Sequence, residues 1–371
     1  KNSCSKLSAI VAPFCVYGSI AKQTCQDIIF RIFLTTPGVC ARVAVVRFPM
    51  SFRTGAALAT DLEAPPIHAT PLVQDFLYHP KVTILAAEPG VGKSIIATQL
   101  ALSLSSATPL FEFLPIPQPR LVYYLQLEGD YEEFLDRMRQ IRKVVPLDPA
   151  LLCWDTLPVL NVLRENDVAS LIARIKSWQT PDLIIIDPIY RTVFGGLSKD
   201  EPASAFVRFS TLLKTEFHCA QLLLHHTHRP SHTRDGQLIE EADPFYGSQW
   251  LKAHVDVSYL LEATDKERST VRLTCKKSRG ANVLESLTLA YHMETMTCSM
   301  QFDPTDGDVL SRIIAFLSFC KQSKKDTNSY EVAEKVGCAR RSVISHLDHP
   351  LIKSRVELIR CSGRRTLWKV V

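Results

Sequence analysis

A β-type apolar run, Val82-Thr83-Ile84-Leu85-Ala86, breaks into Ala87-Glu88-Pro89-Gly90-Val91-Gly92-Lys93-Ser94 and resumes as a helical pattern over 95–105. Few arrangements constrain a chain as tightly. The strand must stop where the glycines begin, and the helix must start at the lysine. The loop between them turns successive backbone N–H groups onto an anion, and the positive end of the helix dipole adds to the attraction. In such a loop the lysine reaches the β- and γ-phosphates of a nucleotide and the following hydroxyl holds Mg²⁺. Glu88, Pro89, Gly90, Val91, Gly92, Lys93, Ser94 and Ile95 are therefore the candidate set for ATP, with Ser94 a candidate magnesium ligand. Ala87 stands where the pattern has its first glycine. Alanine disfavours positive φ, so the start of the loop is expected to be altered.

From residue 81 onward strand-like and helical patterns alternate. The strand-like runs are 82–86, 121–127, 183–186 and 221–224, and the helical ones are 93–105, 131–144, 167–178 and 203–217. Alternation of this kind predicts an α/β fold with a mostly parallel sheet covered by helices on both faces. The near-continuous apolar content of the strands fits burial on both sides. After about 255 the pattern changes to short alternating runs, 257–261, 270–275 and 286–292, which read as antiparallel strands extending one sheet edge. Residues 56–80, with Pro65, Pro66, Pro71 and Pro80, read as a lead-in. Residues 1–55 carry no recognisable motif.

Three strand ends supply the remaining chemistry. Asp187 closes Leu183-Ile184-Ile185-Ile186 and is placed to hold the Mg²⁺ shell, on a strand expected beside the loop-bearing one. Glu128 follows the run 121–127. If that strand also neighbours the loop-bearing strand, its carboxylate faces the γ-phosphate and polarises a water for in-line attack. A helix cap is the alternative role, with Asp130 a competitor for it. In Leu222-Leu223-Leu224-His225-His226-Thr227-His228-Arg229, His226 is the candidate sensor of the γ-phosphate. A metal site using His225, His226, His228 and His232 is disfavoured, because adjacent strand residues point to opposite faces.

These segments, AAEPGVGKS, YYLQLEGD with EEFLDRMRQ, LIIIDPIYR, LLLHHTHR, YGSQWLKAHVDVSYLL and CKKSRG, resemble in order and spacing the RecA-superfamily P-loop ATPases of the RepA-like (AAA_25-type) branch. That branch includes plasmid hexameric replicative helicases. The resemblance covers about residues 71–292. It implies a RecA-like core in which Glu128 activates water and His226 occupies the sensor position. It implies that the loop 228–245, with Arg229 and Arg234 as candidate DNA contacts, faces a central channel or DNA, and that Gly247 and Ser248 belong to a Gly-Ser motif. It further implies that Lys277 and Arg279 reach the nucleotide of a neighbouring subunit in a homo-oligomer, most simply a hexamer. A solvated basic turn is the other reading of that Lys-x-Arg pattern.

The C-terminal stretch reads as a separate module, 309–371, after a linker at 302–308. A helix at 311–320 precedes two short helices around Val336-Gly337-Cys338, the helix-turn-helix pattern. Two strands about a basic turn then follow, as in the wing of a winged helix. Arg340, Arg341, Ser345 and His346 would meet the major groove of DNA or its phosphates, and Arg364 and Arg365 the backbone. Docking of another protein is the alternative. The net charge of +5 permits nucleic acid without arguing for it.

The eleven cysteines form no CxxC pair and read as reduced thiols. The uncharged run 7–21, after Lys1 and Lys6, is too short to span a membrane and only faintly like a signal sequence. A cytoplasmic protein is expected. The favoured function is an ATP-driven helicase or translocase, with an ATP-switched DNA-binding regulator as the rival and a small-molecule kinase as the third possibility.

Overall fold

Alternate residues of each central strand enter different cores, and this is why the strands are apolar throughout. In β8 (Leu183–Asp187), Leu183 and Ile185 pack on one side of the sheet while Ile184 and Ile186 pack on the other. The same split holds in β6 (Val122–Gln126), with Val122 and Tyr124 against Tyr123 and Leu125, and in β9 (Ala220–His226), with Leu222 and Leu224 against Leu223. A strand buried on both faces has no polar phase to display.

The structure, a computed structural model, describes residues 28–31, 45–48, 69–157, 160–193, 196–197, 199–227, 249–265, 267, 269–301, 309–322, 325–353, 356–360 and 366–370. The chain divides into two units, Lys1–Pro66 and Ile67–Val371. In the first, β1 (Ile28–Arg31) and β2 (Val45–Phe48) form an antiparallel pair; the other residues of the 1–55 segment lie outside the described set.

The second unit is an α/β fold around a nine-stranded sheet. Its order is β13-β12-β11-β10-β5-β9-β8-β6-β7. Strands β10 (Val257–Ala263), β5 (Val82–Ala87), β9, β8, β6 and β7 (Leu152–Thr156) run parallel, each to the next. Strands β11 (Thr270–Ser278), β12 (Ser286–His292) and β13 (Thr297–Met300) continue from β10 as an antiparallel extension. Helix α1 (Lys93–Ser106) covers one face, where Ile96, Ala97, Leu100, Ala101 and Leu104 are buried. Helix α2 (Tyr131–Ile141) packs beside α1 through Phe134, Met138 and Ile141, which enclose Leu102. Helices α3 (Glu165–Trp178) and α4 (Asp200–Phe217) cover the other face through Leu171, Ile175, Phe206, Phe209 and Leu213. The short helix α5 (Gln249–His254) adds Leu251 to that side.

Three elements were not anticipated. Strand β7 is an edge strand of mixed polarity, Leu-Cys-Trp-Asp-Thr, so it shows no apolar run. The proline-rich lead-in contains a hairpin, β3 (Thr70–Val73) and β4 (Leu77–His79), which buries Leu72, Val73, Phe76 and Leu77 completely or nearly so. Strand β13 is too short to show a period; Gln99 of α1 fixes it, donating to the Cys298 carbonyl at 2.9 Å and accepting from its N–H at 2.7 Å.

Strand order also corrects an expectation. The strands bearing Asp187 and Glu128 do not touch β5. Strand β9 separates β5 from β8, and β6 lies one strand further out. Long-range burial chose this order, and no local signal specifies it.

At the C-terminus, α6 (Val309–Gln322), α7 (Ser329–Val336), α8 (Arg340–Ser345) and α9 (Pro350–Lys353) are followed by the antiparallel hairpin β14 (Val356–Arg360) and β15 (Thr366–Val370). Asn328 caps α7 by accepting from the Tyr330 and Glu331 N–H groups at 3.0 and 3.1 Å, and Gly337 ends it at φ 68°. Caps of this kind are worth about 1 kcal/mol. Val332, Val336, Val343 and the fully buried Trp368 tie these elements together, and Thr327 bridges to Trp368. Among the described residues no helix is long and apolar enough to cross a membrane, and the described cysteines are free thiols.

Candidate nucleotide site

The loop after β5 is shaped for an anion. Gly90 and Gly92 adopt φ 77° and 101°, values only glycine reaches cheaply, and Gly92 is the N-cap of α1 with no side-chain cap. The first N–H groups of α1 therefore have no competing side-chain acceptor at their cap. Ala87 is not strained. It is the last residue of β5, fully buried and paired with His226 and Leu261, and its φ is not positive. A glycine is not needed there, so the expected alteration at the start of the loop does not arise. A Cβ on Gly92 would lie 1.9 Å from the hydroxyl oxygen of Tyr291, which also donates to the Val91 carbonyl at 2.7 Å. Tyr291 on β12 thus pins the loop from two hundred residues away.

Strand periodicity then collects the polar groups. In β9 His226 shares the parity of Leu222 and Leu224; in β8 Asp187 shares that of Leu183 and Ile185. Residues 122, 124, 126 and 128 do the same along and beyond β6. All face the α1 side, where Lys93 opens the helix. Lys93 is buried and its Nζ donates to the Ala87 and Glu88 carbonyls at 2.9 and 3.0 Å, with His226 Nδ1 at 3.2 Å. His226 Nε2 lies 4.0 Å from Glu128 Oε2. A chain of contacts thus runs from the loop lysine through the histidine to the glutamate. His225, of opposite parity, is buried 2% exposed toward the other face, and among the described residues no group of three or more metal-holding side chains exists.

Burial pushes the Lys93 ammonium down to about 8, while Asp187, Glu128 and Glu88 pull it back up. Burial also lowers His226, with the Lys93 charge adding to the effect and Glu128 opposing it. Asp187 is moved up by burial, against hydrogen bonds from Tyr124 and Ser94 and the charges of Arg137 and Lys93. The Tyr124 hydroxyl donates to Asp187 Oδ2 at 2.5 Å. The oxygens of Ser94 and Asp187 are hard donors of the kind that would suit Mg²⁺.

Glu128 is not a cap. Asp130 is the N-cap of α2, though without a side-chain cap bond. Gln126 donates to the Glu128 carbonyl at 2.8 Å and accepts from the Trp154 indole at 2.8 Å, fixing the turn that presents the carboxylate. The carboxylate also meets Arg191, Nη2 to Oε1 3.6 Å, with Tyr190 near enough for the two to affect one another electrostatically. Sequence reasoning quoted the segment containing Tyr190 and Arg191 but gave them no role, and it passed over Tyr124, Gln126 and Tyr291. Parity with Glu128 could have flagged Gln126; nothing local flags Tyr291.

Lys277 and Arg279 lie elsewhere. Because β11 runs antiparallel to β10, Ser278 pairs with Val257, which itself pairs with Thr83 near the start of β5. That is the end of the strands opposite the phosphate loop, roughly 15 Å away by strand rise. Lys277 Nζ donates to the Lys252 and Val255 carbonyls, both at 2.6 Å, and Arg279 Nη1 to Ala253 at 3.3 Å, so the pair closes the C-terminal end of α5. Arg340 and Arg341 are exposed. Arg340 stacks 4.1 Å over the Tyr330 ring and donates to Ser329 at 2.9 Å. Ser345 and His346 both turn back onto the Ser342 carbonyl, at 2.8 and 2.6 Å. Arg229, Arg234, Arg364, Arg365, Gly247 and Ser248 lie outside the described residues.

A family model described as an AAA domain matches residues 49–232, the segment that carries the phosphate loop, Glu128, Asp187 and His226. Among solved structures the chain is similar to a KaiC-like protein from the hyperthermophilic archaeon Pyrococcus horikoshii, 12% identical over 63% of this chain and 99% of that one, TM-score 0.45. It is similar to a DnaB-like replicative helicase, 15% identical over 66% of each chain, TM-score 0.48. It is similar to the RadB recombinase, 14% identical over 59% of this chain and 90% of that one, TM-score 0.41. No curated protein matches the chain by sequence.

Proposed function

With the family match and the site geometry together supporting a RecA-like P-loop ATPase, we propose that the chain is an ATP-hydrolysing motor acting on DNA, a helicase or translocase that works as a homo-oligomeric ring, most simply a hexamer. The observation that carries this reading is the continuous chain Lys93–His226–Glu128 beside the Ser94–Asp187 pair. In the resting site Lys93 is held by two carbonyls and His226. A γ-phosphate draws the ammonium away from His226, and His226 passes that change to the segment that follows it, 228–245, with Arg229 and Arg234. Ser94 and Asp187 hold Mg²⁺, which neutralises charge developing on the phosphates. Glu128 orients the attacking water and takes its proton. Lys277 and Arg279, too far from their own loop, present cations to the nucleotide of a neighbouring copy.

The test is phosphate release with and without single-stranded DNA. Lys93→Ala is expected to lower turnover on the order of 10²–10³-fold, the scale of removing one preorganised electrostatic contact. DNA-stimulated hydrolysis persisting in that variant would contradict the site. The specific observation favouring the second reading, an ATP-switched DNA-binding regulator, is the helix–turn–helix and hairpin at the C-terminus with Arg340 and Arg341 exposed. A strand-displacement assay separates the two, since a regulator binds duplex without unwinding it. Phosphate appearing without any acceptor but water excludes the kinase.

A further inference from the structure

The positive charge of the chain is concentrated in its last module. Residues 309–371 hold thirteen Lys and Arg against five Asp and Glu, a balance of +8, while the whole chain carries +5, so the residues before them balance at −3. A protein partner does not require such an excess, whereas a polyanion is held by it. The acids of the module are spoken for by lysines: Glu331 pairs with Lys325, Asp348 with Lys353 and Glu357 with Lys369. Among the described residues the two arginines that open α8, Arg340 and Arg341, have no acidic partner, and both are exposed.

The two arginines differ in how they are held. Asn328 caps α7 so that Tyr330 falls in its first turn, and the turn at Gly337 brings the start of α8 back beside it. The Arg340 guanidinium lies 4.1 Å over the Tyr330 ring, and its Nε donates to the Ser329 hydroxyl at 2.9 Å. The ring is 60% exposed, so the stack stands at the surface. With Nε taken, Nη1 and Nη2 remain as an end-on fork, fixed in place by the ring and by Ser329. Among the described residues Arg341 has no such brace. A fork already ordered loses little rotamer freedom on binding. Its two parallel donors match the O6 and N7 acceptors of guanine in the major groove, where a helix-turn-helix sets the first residues of its second helix. We propose that Arg340 reads a guanine in duplex DNA, that Tyr330 is the positioning residue that sets its fork, and that Arg341 holds the phosphate backbone. The inference rests on the reading of the C-terminal module as a DNA contact.

The experiment selects duplexes from a randomised library with the full chain. It then measures affinity for the selected duplex, and for the same duplex carrying 7-deazaguanine, over a range of salt concentrations. The altered base keeps its pairing and leaves the phosphates unchanged, but lacks the N7 acceptor. The wild type enriches a guanine at one position and binds the natural duplex about tenfold tighter than the altered one. Tyr330→Ala, Arg340→Ala and Arg340→Lys each lose that preference, while Tyr330→Phe, which keeps the ring, retains it. Tyr330→Ala leaves the dependence of affinity on salt as in the wild type, an outcome that a general loosening of the module would not give. Melting temperatures stay close to wild type, because both side chains are exposed. Arg341→Ala weakens binding to both duplexes equally and lowers the slope of log affinity on log salt by about one. Equal affinity of the wild type for the two duplexes, or a guanine preference surviving in Tyr330→Ala, would overturn the inference while leaving DNA binding by the module in place. Absence of duplex binding at every salt concentration would overturn that underlying reading as well.

Discussion

Lys93 and Lys277 make the same kind of contact at opposite ends of the strands of one sheet. Each donates to two backbone carbonyls, and each has its ammonium pushed down chiefly by burial. Their surroundings differ. Around Lys93 stand Asp187, Glu128 and Glu88, and beside it is a glycine loop whose N–H groups await an anion. Around Lys277 stand Arg279, which lowers it further, and Asp256, which raises it, and its carbonyls are those at the end of α5. A lysine on carbonyls stands among carboxylates beside the glycine loop in the first case and beside a second cation at the end of α5 in the second. Residue type does not distinguish them; the charges within reach do.

The comparison breaks most sharply at the phosphate end. Gly92→Ala places a methyl group against Tyr291 at a φ of 101°. Strain of this sort costs on the order of 1–3 kcal/mol, and ATP affinity, read by calorimetry, should fall by about tenfold or more. Undiminished affinity would mean that Tyr291 does not pin the loop.

A second contrast lies in pH. The folded Lys93 sits at about 8 against 10.5 for an ordinary lysine. Below about pH 8 both states carry the proton and the folded chain bears the full burden of a buried charge. Between about 8 and 10.5 the unfolded chain binds a proton the folded one has released, so stability rises with pH through that window and then levels. The gain is on the order of 3 kcal/mol. Urea unfolding of wild type and Lys93→Met across pH 7–11 should show this slope in the first and a flatter one in the second.

At the other end, Lys277→Ala removes two carbonyl contacts and should destabilise the subunit by about 1–2 kcal/mol in urea. ATP affinity of the isolated subunit should stay as in the wild type, with hydrolysis lowered only in the assembled particle. Equal loss in both forms would place Lys277 in its own site. The smallest effect belongs to Ala87→Gly. With Ala87 already extended within β5, glycine should leave ATP affinity within about twofold and cost about 0.5–1 kcal/mol of stability.

Much of the site was legible because local rules set it. The glycine loop, the helix start at Lys93 and the choice of His226 over His225 follow from steric limits and the two-residue period of a strand. The helices and the C-terminal hairpin were legible for the same reason, since caps and turns act within a few residues. Strand β7 escaped because an edge strand need not be apolar, and the β3–β4 hairpin because its prolines read as a linker.

By itself, then, the chain determined where a phosphate can be cradled and which side chains share the α1 face of the sheet. Only the tertiary structure decided that β9 lies between β5 and the strand of Asp187, that Tyr291 closes on Gly92 and that Arg191 lies 3.6 Å from Glu128. Backbone geometry is dictated by immediate neighbours, whereas strand order and cross-sheet contacts come from the burial of the whole chain, and no short segment carries that information.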